Sequence, residues 1–574
     1  MSHETQQRHI RITHLVILVL VVHVLLVAYG ACVSSPTLDE PFHLSAGLDI
    51  AKYIRFDKNR GNPPLANVVA ALPIKLAYPE FELSSDNHRQ VTTDSRSVPV
   101  CRIFTVARFA CIPFSLVGAY VCYQWSLETS GELGALVSVS LWCFSPNILA
   151  HASLATADVG AASLGVFATY SLWRWCREPR WSHAVFAGVV LGAALLTKML
   201  WVGALVLWPV LSVVTRRWRP PVPIARELGQ TVVLLLIAIG VLNWGYTFER
   251  TMRPLKTYST LLNDITGLNV SAEFGSIPVP LPENYIRGIG EIRQVMGRSH
   301  RSYLAGQWRD AGWWYYYLYG LAVKVPLGTL GLCLLAFPLS FARLRRNWTD
   351  DALLILPAAS VLAFVSYFSN MSHHFRYALP FLPFCFVFAG RVAWYFKDGP
   401  RLLRMAVVVC WVATLCASLW NWPHSLSYFN ALAGGPVGGR YHMLDSNIDW
   451  GQDLLFLRRW LEHHPEAEPL NLVYFGSIDP RLVGVEYQFP STSETGFAPG
   501  WYAISVNFVM GREFVAPDGS GGLVFIDRDE YTYFQRLEPA VRPGYSIDIY
   551  HIEGESASLT DRNEEDGSHL GSGL

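Results

Sequence analysis

Asp39 and Glu40 stand side by side in the stretch Thr37-Leu38-Asp39-Glu40-Pro41-Phe42-His43, a few residues past an apolar run from about Leu15 to Val33. Packing gives no reason for two adjacent carboxylates in a loop at a membrane edge. The stretch reads as a helix start. Thr37 or Asp39 can cap it, and Pro41 suits the first turn because its missing N–H would find no partner there. On that helix His43 follows Asp39 by one turn and can share its face. Glu40 points roughly 100° away, so the two carboxylates need not act as one unit. The alternative is structural: a capping carboxylate with a solvated neighbour.

Arg102, Arg108, Asp158, Lys198, Lys324 and Arg376 are further ionisable residues within or beside apolar runs. Charge at membrane depth is costly and usually marks a site. Lys324 and Arg376 are long enough to snorkel to an interface, but Asp158 is too short to reach far. A shared polar pocket therefore accounts for Asp158 and Lys198 better than solvation does. Ser372-His373-His374-Phe375-Arg376-Tyr377 either binds a metal through its histidines or is a polar connector, and the connector is favoured. The ten cysteines form no CxxC pair and no zinc-ligand spacing, and the chain has no P-loop and no G-x-S-x-G elbow. Cys32 and Cys101 fall near one membrane boundary and could meet as a disulfide.

The elements that must position these residues are membrane helices. Of 574 residues, 51% are hydrophobic and 16% charged, where a soluble chain has about a quarter charged. The formal net charge of zero gives nucleic acid no bulk electrostatic hold. The first apolar run is too long for a cleaved signal and reads as a signal anchor. After it, runs of roughly 17–25 residues suggest about eleven spans in all. The further spans are Ile103–Tyr123, Leu133–Leu149, Val159–Trp175, Ala184–Leu196, Val202–Val214, Thr231–Phe248, Tyr315–Phe341, Leu353–Phe368, Leu379–Tyr395 and Met405–Trp420. Arg8, Arg11, Arg174, Arg177, Arg180, Arg216, Arg217, Arg219, Arg343, Arg345, Arg346, Lys397, Arg401 and Arg404 all fall on one side if the N-terminus is cytoplasmic. The other side then carries outer loops at 33–101 and 249–312 and the chain after Pro423. The ionisable residues named above gather at that outer side.

Residues 1–422 thus form a membrane domain. Residues 423–553 read as a small extracytoplasmic α/β domain, with a helix at Asp453–His463 and strands at Leu470–Phe475, Trp501–Phe508, Leu523–Ile526 and Tyr545–Ile552. Within it, Leu444-Asp445-Ser446-Asn447-Ile448-Asp449-Trp450-Gly451-Gln452-Asp453 either contacts a sugar or acceptor or is a turn capping the helix from Asp453, with the turn favoured. Residues 554–574 are Ser-, Glu-, Asp- and Gly-rich and read as disordered. Pro63-Pro64 opens a helix over Pro64–Leu76 that can lie along the interface and wall a pocket, or serve as a plain connector.

Five stretches together resemble the membrane glycosyltransferases of the C-type fold, in particular the protein O-mannosyltransferase and aminoarabinose-transferase superfamily in its bacterial form. They are Leu38-Asp39-Glu40, Gly61-Asn62-Pro63-Pro64-Leu65, His151-Ala152-Ser153-Leu154-Ala155-Thr156-Ala157-Asp158, Leu196-Thr197-Lys198-Met199-Leu200-Trp201-Val202-Gly203 and Arg376-Tyr377-x-Leu379-Pro380. The segment 444–453 also resembles one found in bacterial relatives. The loop 249–312 lacks the trefoil-like repeats of the eukaryotic protein mannosyltransferases, which weakens the case for a protein acceptor.

The resemblance implies inverting transfer of a sugar, a mannose-like hexose or a pentose, from a polyprenyl-phosphate carrier to an acceptor hydroxyl of a protein, lipid or glycan at the outer membrane face. Asp39 matches the family's base position, and Asp39, Glu40 and Asp158 form the catalytic set. The departing lipid phosphate calls for cations. Lys198, Arg102 and Arg108 are the candidates, with His43, Lys324 and Arg376 as further binding residues. Asp158 either orients the surroundings of Asp39 or joins it in holding a divalent metal ion, and no organic cofactor is implied. The competing function is a non-catalytic carrier or flippase of lipid-linked saccharides. A transporter should show repeat symmetry and ionisable or broken-helix sites near mid-membrane. Charges collected at one face favour the enzyme.

Overall fold

The chain's architecture is given by a computed structural model, which describes residues 3–84, 92–93, 99–219, 221–266, 274–343, 348–368, 372–490 and 497–553. The expected disordered tail at 554–574 and two of the basic loop residues, Arg345 and Arg346, lie outside the described residues.

Helix α1 (His3–Val33) leads through a short connector to α2 (Glu40–Tyr53), and Pro63 in extended conformation sets up α3 (Pro64–Ala77). Then come α4 (Val100–Cys143), α5 (Pro146–Ala152), α6 (Asp158–Arg177), α7 (Trp181–Leu195), α8 (Ala204–Thr215) and α9 (Ile224–Gly245). A mixed region carries α10 (Ser259–Thr266) and α11 (Glu283–Gly297), followed by α12 (Tyr316–Lys324), α13 (Leu327–Arg343), α14 (Trp348–Phe368) and α15 (Leu382–Ala389). A last apolar helix spans Arg401–Asn421.

Among the described residues, seven helices are long and apolar enough to cross a membrane. An eighth is obtained if Tyr316–Lys324 and Leu327–Leu339, bent by 110°, form one broken span. The bend falls at Val325-Pro326, where proline removes a backbone donor. The count is below the expected eleven for identifiable reasons. α4 is a single run of 44 residues that takes in two expected spans, interrupted only at Gly131, whose φ is 79°. α7 has 15 residues, and α6, with Asp158, Arg174 and Arg177 among its 20, is not apolar enough. Helices do stand at these places.

α2 and α3 press together at Gly47, where a Cβ would come within 2.0 Å of the Asn67 carbonyl oxygen. Only a residue without a side chain allows that approach. α3 is not a plain surface helix: Ala66, Asn67, Ala70, Ala71 and Ile74 are buried. The residues after Pro423 share this core. Leu454, Leu457, Leu472, Tyr474 and Ile549 pack with Leu44, Ala70, Ile74 and Phe104 in one apolar cluster.

Strands do form where alternation suggested them. Asn471–Val473 runs parallel to Gly500–Ser505, which pairs antiparallel with Ile547–Ile552, and Phe514–Pro517 pairs antiparallel with Leu523–Ile526. The middle strand stops earlier than expected because the Ser505 hydroxyl accepts from Asn507 N and starts a short helix at Val506–Val509. Cys32 and Cys101 are both free thiols and do not meet as a disulfide. Cys32 is exposed on α1, whereas Cys101 borders a groove lined by Leu455 and Arg458.

Candidate active site

Asp39 precedes the first residue of α2 with φ −90° and ψ −20° and makes no side-chain cap. The capping is done in reverse by Glu40, whose carboxylate accepts from Thr37 N at 2.8 Å and from the Thr37 hydroxyl at 3.0 Å. Asp39 is thereby left to a cavity of about 320 Å³, whose polar lining includes Asp39, His43, Asn62, Asp158, Lys198 and Arg376. The rest of the lining is mostly apolar, with Leu200, Val202, Ile289, Ile292, Met296 and Phe364 beside Arg293.

The charges inside the cavity are arranged as a chain. Arg376 Nη2 donates to Asp39 Oδ2 at 2.8 Å, and Arg376 Nη1 lies 3.9 Å from Asp158 Oδ2. Lys198 Nζ donates to Asp158 Oδ1 at 2.5 Å, and the Thr156 hydroxyl donates to Asp158 Oδ2 at 3.1 Å. Lys198 also sits 4.9 Å from the centre of the Tyr377 ring, a cation–π distance. The side chains of Asp158 and Arg376 are almost wholly buried, while Asp39 keeps 27% exposure and Lys198 16%. The two exposed ends of the chain are thus an acid and a base, both open to the cavity.

His43 is buried one turn after Asp39. Its Nδ1 lies 2.7 Å from Asn67 Oδ1, and Asn67 Nδ2 points to Asn62 O at 3.4 Å, so the His43 Nδ1–H is the donor. Burial pushes the His43 pKa down, with the Asn67 bond and the Asp39 and Asp158 carboxylates opposing it only in part. Burial thus favours the neutral ring.

Four expected site residues do not reach the cavity. Glu40 and Arg108 form a closed pair: Arg108 Nε and Nη2 donate to Glu40 Oε1 and Oε2 at 2.7 and 2.6 Å. Arg108 also donates to the carbonyls of Ala31, Ser34 and Ser35, and Ala155 N donates to Glu40 Oε1 at 2.9 Å. Both side chains are saturated and fully buried, and neither lines the cavity. Burial alone would raise the Glu40 pKa, but the Arg108 guanidinium and the backbone donors hold it below the ordinary value. Lys324 is buried elsewhere, donating to Leu426 O at 2.9 Å and to Asn447 O, with Phe429 beneath its ammonium. Arg102 is exposed in the first turn of α4. Arg108 and Lys324 are explained by pairing and backbone bonds rather than by substrate.

The metal expectation for Asp39 and Asp158 falls on two carboxylates that are both in ion pairs. Each carboxylate is already bonded to a cation, and no group of three or more His, Cys, Asp or Glu able to hold a metal occurs among the described residues. His373 and His374 are connectors: His373 Nε2 bonds Arg301 O, and His374 Nδ1 lies 2.7 Å from the Ser446 hydroxyl.

Some cavity residues went unrecognised in the sequence. α11 contributes Ile289, Ile292, Arg293 and Met296 from the loop 249–312, whose apolar residues recur every three to four positions, a signal for one wetted and one buried face. Phe364 and Val365 sit inside an ordinary apolar span and carried no signal. In the segment 444–453, Asp453 does not cap the helix Leu454–Leu461 with its side chain; Leu454 N instead donates to the Ser35 hydroxyl.

Residues 51–251 match the family model described as dolichyl-phosphate-mannose-protein mannosyltransferase. That stretch includes Asp158 and Lys198, whereas Asp39, His43 and Arg376 lie outside it. The chain is similar to the crystal structure of ArnT from Cupriavidus metallidurans bound to undecaprenyl phosphate, at 14% identity over 94% of this chain and 98% of that chain, with a TM-score of 0.48. It is also similar to the archaeal oligosaccharyltransferase AglB from Archaeoglobus fulgidus in complex with an inhibitory peptide and a dolichol-phosphate, at 12% identity over 70% of this chain and 56% of that chain, with a TM-score of 0.40. The curated proteins include no match. The resemblance drawn from the motifs is borne out: over residues 51–251 this chain carries the sequence pattern of the dolichyl-phosphate-mannose-protein mannosyltransferase family.

Proposed function

We propose that this protein is an integral membrane glycosyltransferase that moves a sugar from a polyprenyl-phosphate carrier to an acceptor hydroxyl. The observation that carries the reading is one cavity with two chemistries. Its apolar lining, with Ile289, Ile292, Met296 and Phe364, suits an isoprenoid, and the same cavity holds the ion-paired chain Asp39, Arg376, Asp158 and Lys198. The distribution of basic loops supports a cytoplasmic N-terminus and a cavity at the outer face.

In a single displacement the acceptor oxygen attacks the anomeric carbon from the side opposite the leaving phosphate, so the configuration inverts. Asp39 takes the hydroxyl proton as the new C–O bond forms. The C–O bond to phosphate breaks with its electron pair on the phosphate oxygen, which leaves as polyprenyl phosphate. Lys198 and Arg376 stabilise that growing charge, at about 3–4 kcal/mol for one well-placed donor. Asp158 lies between the two cations and keeps them facing the cavity. A mannose-like hexose or a pentose is the proposed sugar, and a protein, lipid or glycan the proposed acceptor.

The test is incubation of the purified protein with a panel of polyprenyl-phosphate sugars, scoring release of polyprenyl phosphate. Release that requires Asp39 supports transfer. Movement of the lipid-linked sugar across a bilayer with no bond cleavage would select a carrier instead.

A further inference from the structure

Residues 445–453 are buried along their whole length and bind the chain on either side of the Asp39–Arg376 pair, at Ser35 and Leu38 before Asp39 and at His373 and Phe375 before Arg376. On one side the segment pairs with the chain leading into Asp39. Ser35 N donates to Gln452 O at 2.9 Å, the Ser35 hydroxyl to Gly451 O at 2.7 Å, and Leu38 N to Trp450 O at 3.0 Å. On the other side it holds the chain leading into Arg376. Asn447 Nδ2 donates to His373 O at 2.6 Å, and Asn447 Oδ1 accepts from Phe375 N at 2.9 Å. Trp450 closes the arrangement, with its ring centre 4.0 Å from Arg376 Cζ.

The segment is itself rigidly set. Gly451 adopts φ +86°, and a Cβ there would lie 2.5 Å from the Tyr474 hydroxyl, so the turn admits only glycine. The Asp449 carboxylate accepts from Gly451 N at 3.0 Å, and Gln452 Oε1 accepts from Trp450 N at 2.8 Å. Trp450 has no exposed surface and is absent from the cavity wall, so it has no direct contact with anything bound there.

We propose that Trp450 is a positioning residue for sugar transfer. One residue holds the backbone beside Asp39 through its carbonyl and the Arg376 guanidinium through its ring, and so sets the spacing between the base and the leaving-group cation. This inference rests on the glycosyl-transfer reading. It gives the residues after Pro423 a part in catalysis, because they supply the platform beneath a cavity arginine.

The experiment compares Trp450→Phe, which keeps a π face, with Trp450→Met, which removes it, and crosses the latter with Arg376→Gln. For Trp450→Met, kcat should fall on the order of 10-fold with the KM for the lipid-linked donor unchanged within about twofold, as expected of a desolvated cation–π contact. Trp450→Phe should restore most of kcat, and Trp450→Met should add nothing to Arg376→Gln. The structure of Trp450→Met supplies a readout that does not need turnover: Arg376 should no longer reach Asp39. Unchanged kcat, additive effects in the double variant, or an Arg376–Asp39 bond kept in the Met variant would each overturn the proposal. Wild-type protein inactive on every donor would refute the transfer reading, and the variant structure would still decide whether Trp450 holds Arg376.

Discussion

Arg376 Nη2 lies 2.8 Å from Asp39 Oδ2, although 337 positions separate the two residues in the chain. The guanidinium thus holds the carboxylate at the lip of the cavity while its other nitrogen faces Asp158. In the proposed reaction, a base held this way would meet an acceptor hydroxyl in a fixed orientation. Asp39→Asn keeps the shape and a hydrogen-bond acceptor for Arg376 but cannot take a proton. Release of polyprenyl phosphate should fall by about 10²- to 10⁴-fold, with thermal unfolding unchanged. Wild-type turnover in the variant would remove Asp39 from the chemistry.

Lys198 and Asp158 form the second contact pair, and their effects should be coupled. Lys198→Ala should lower kcat by about 10²- to 10³-fold through loss of the cation facing the leaving phosphate. Asp158→Asn should also lower kcat, since it loosens Lys198 and one side of Arg376 together. The double variant should be far less impaired than the sum of the single losses. Full additivity, measured in a double-mutant cycle on kcat, would show that the two side chains act separately.

Glu40 and Arg108 belong to stability rather than turnover. Glu40→Ala leaves a buried, unpaired guanidinium and should destabilise the protein by about 3–5 kcal/mol. Because the folded-state pKa of Glu40 is depressed, the folded protein binds fewer protons there than the unfolded chain. The stabilisation is therefore complete above the ordinary value of about 4.5 and is lost as pH falls below it toward the folded value. Thermal unfolding in detergent at pH 7 and at pH 4 should show a smaller acid loss for Glu40→Gln than for wild type. An equal loss in both would place the acid sensitivity elsewhere.

Chelation should leave the reaction intact. Asp39 and Asp158 are each occupied by a cationic side chain, so a divalent ion would have to displace Arg376 or Lys198. Transfer measured after EDTA treatment and buffer exchange should match the untreated rate. Loss restored by a divalent ion alone would contradict the donor-set argument.

The charged lining of the cavity was legible because Asp39, Asp158, Lys198 and Arg376 stand where membrane depth makes charge expensive. The same rule cannot tell a charge aimed at a ligand from one cancelled by a partner. Arg108 therefore looked like Lys198, and only the fold brings Glu40 to it from 68 positions away. Lys324 misled similarly, since its partners are backbone carbonyls at Leu426 and Asn447, which leave no trace in side-chain types. Helix positions followed closely from apolar runs, and their lengths did not. The halves of α4 join through Gly131, and a glycine in an apolar stretch marks continuation and interruption equally well. The lining from α11 was written in its repeating isoleucines, but nothing local says which cavity an amphipathic helix will face.

At Gly47, α2 touches the Asn67 carbonyl, and α2 also carries His43 and follows directly from Asp39. A single methyl group there would lever the whole helix off its neighbour and swing the proton acceptor away from its arginine. Tolerance to sequence change should thus be poor at a position with no functional group to lose. Changes meant to alter what the cavity accepts would be better placed in its walls than in the tight α2–α3 seam behind them.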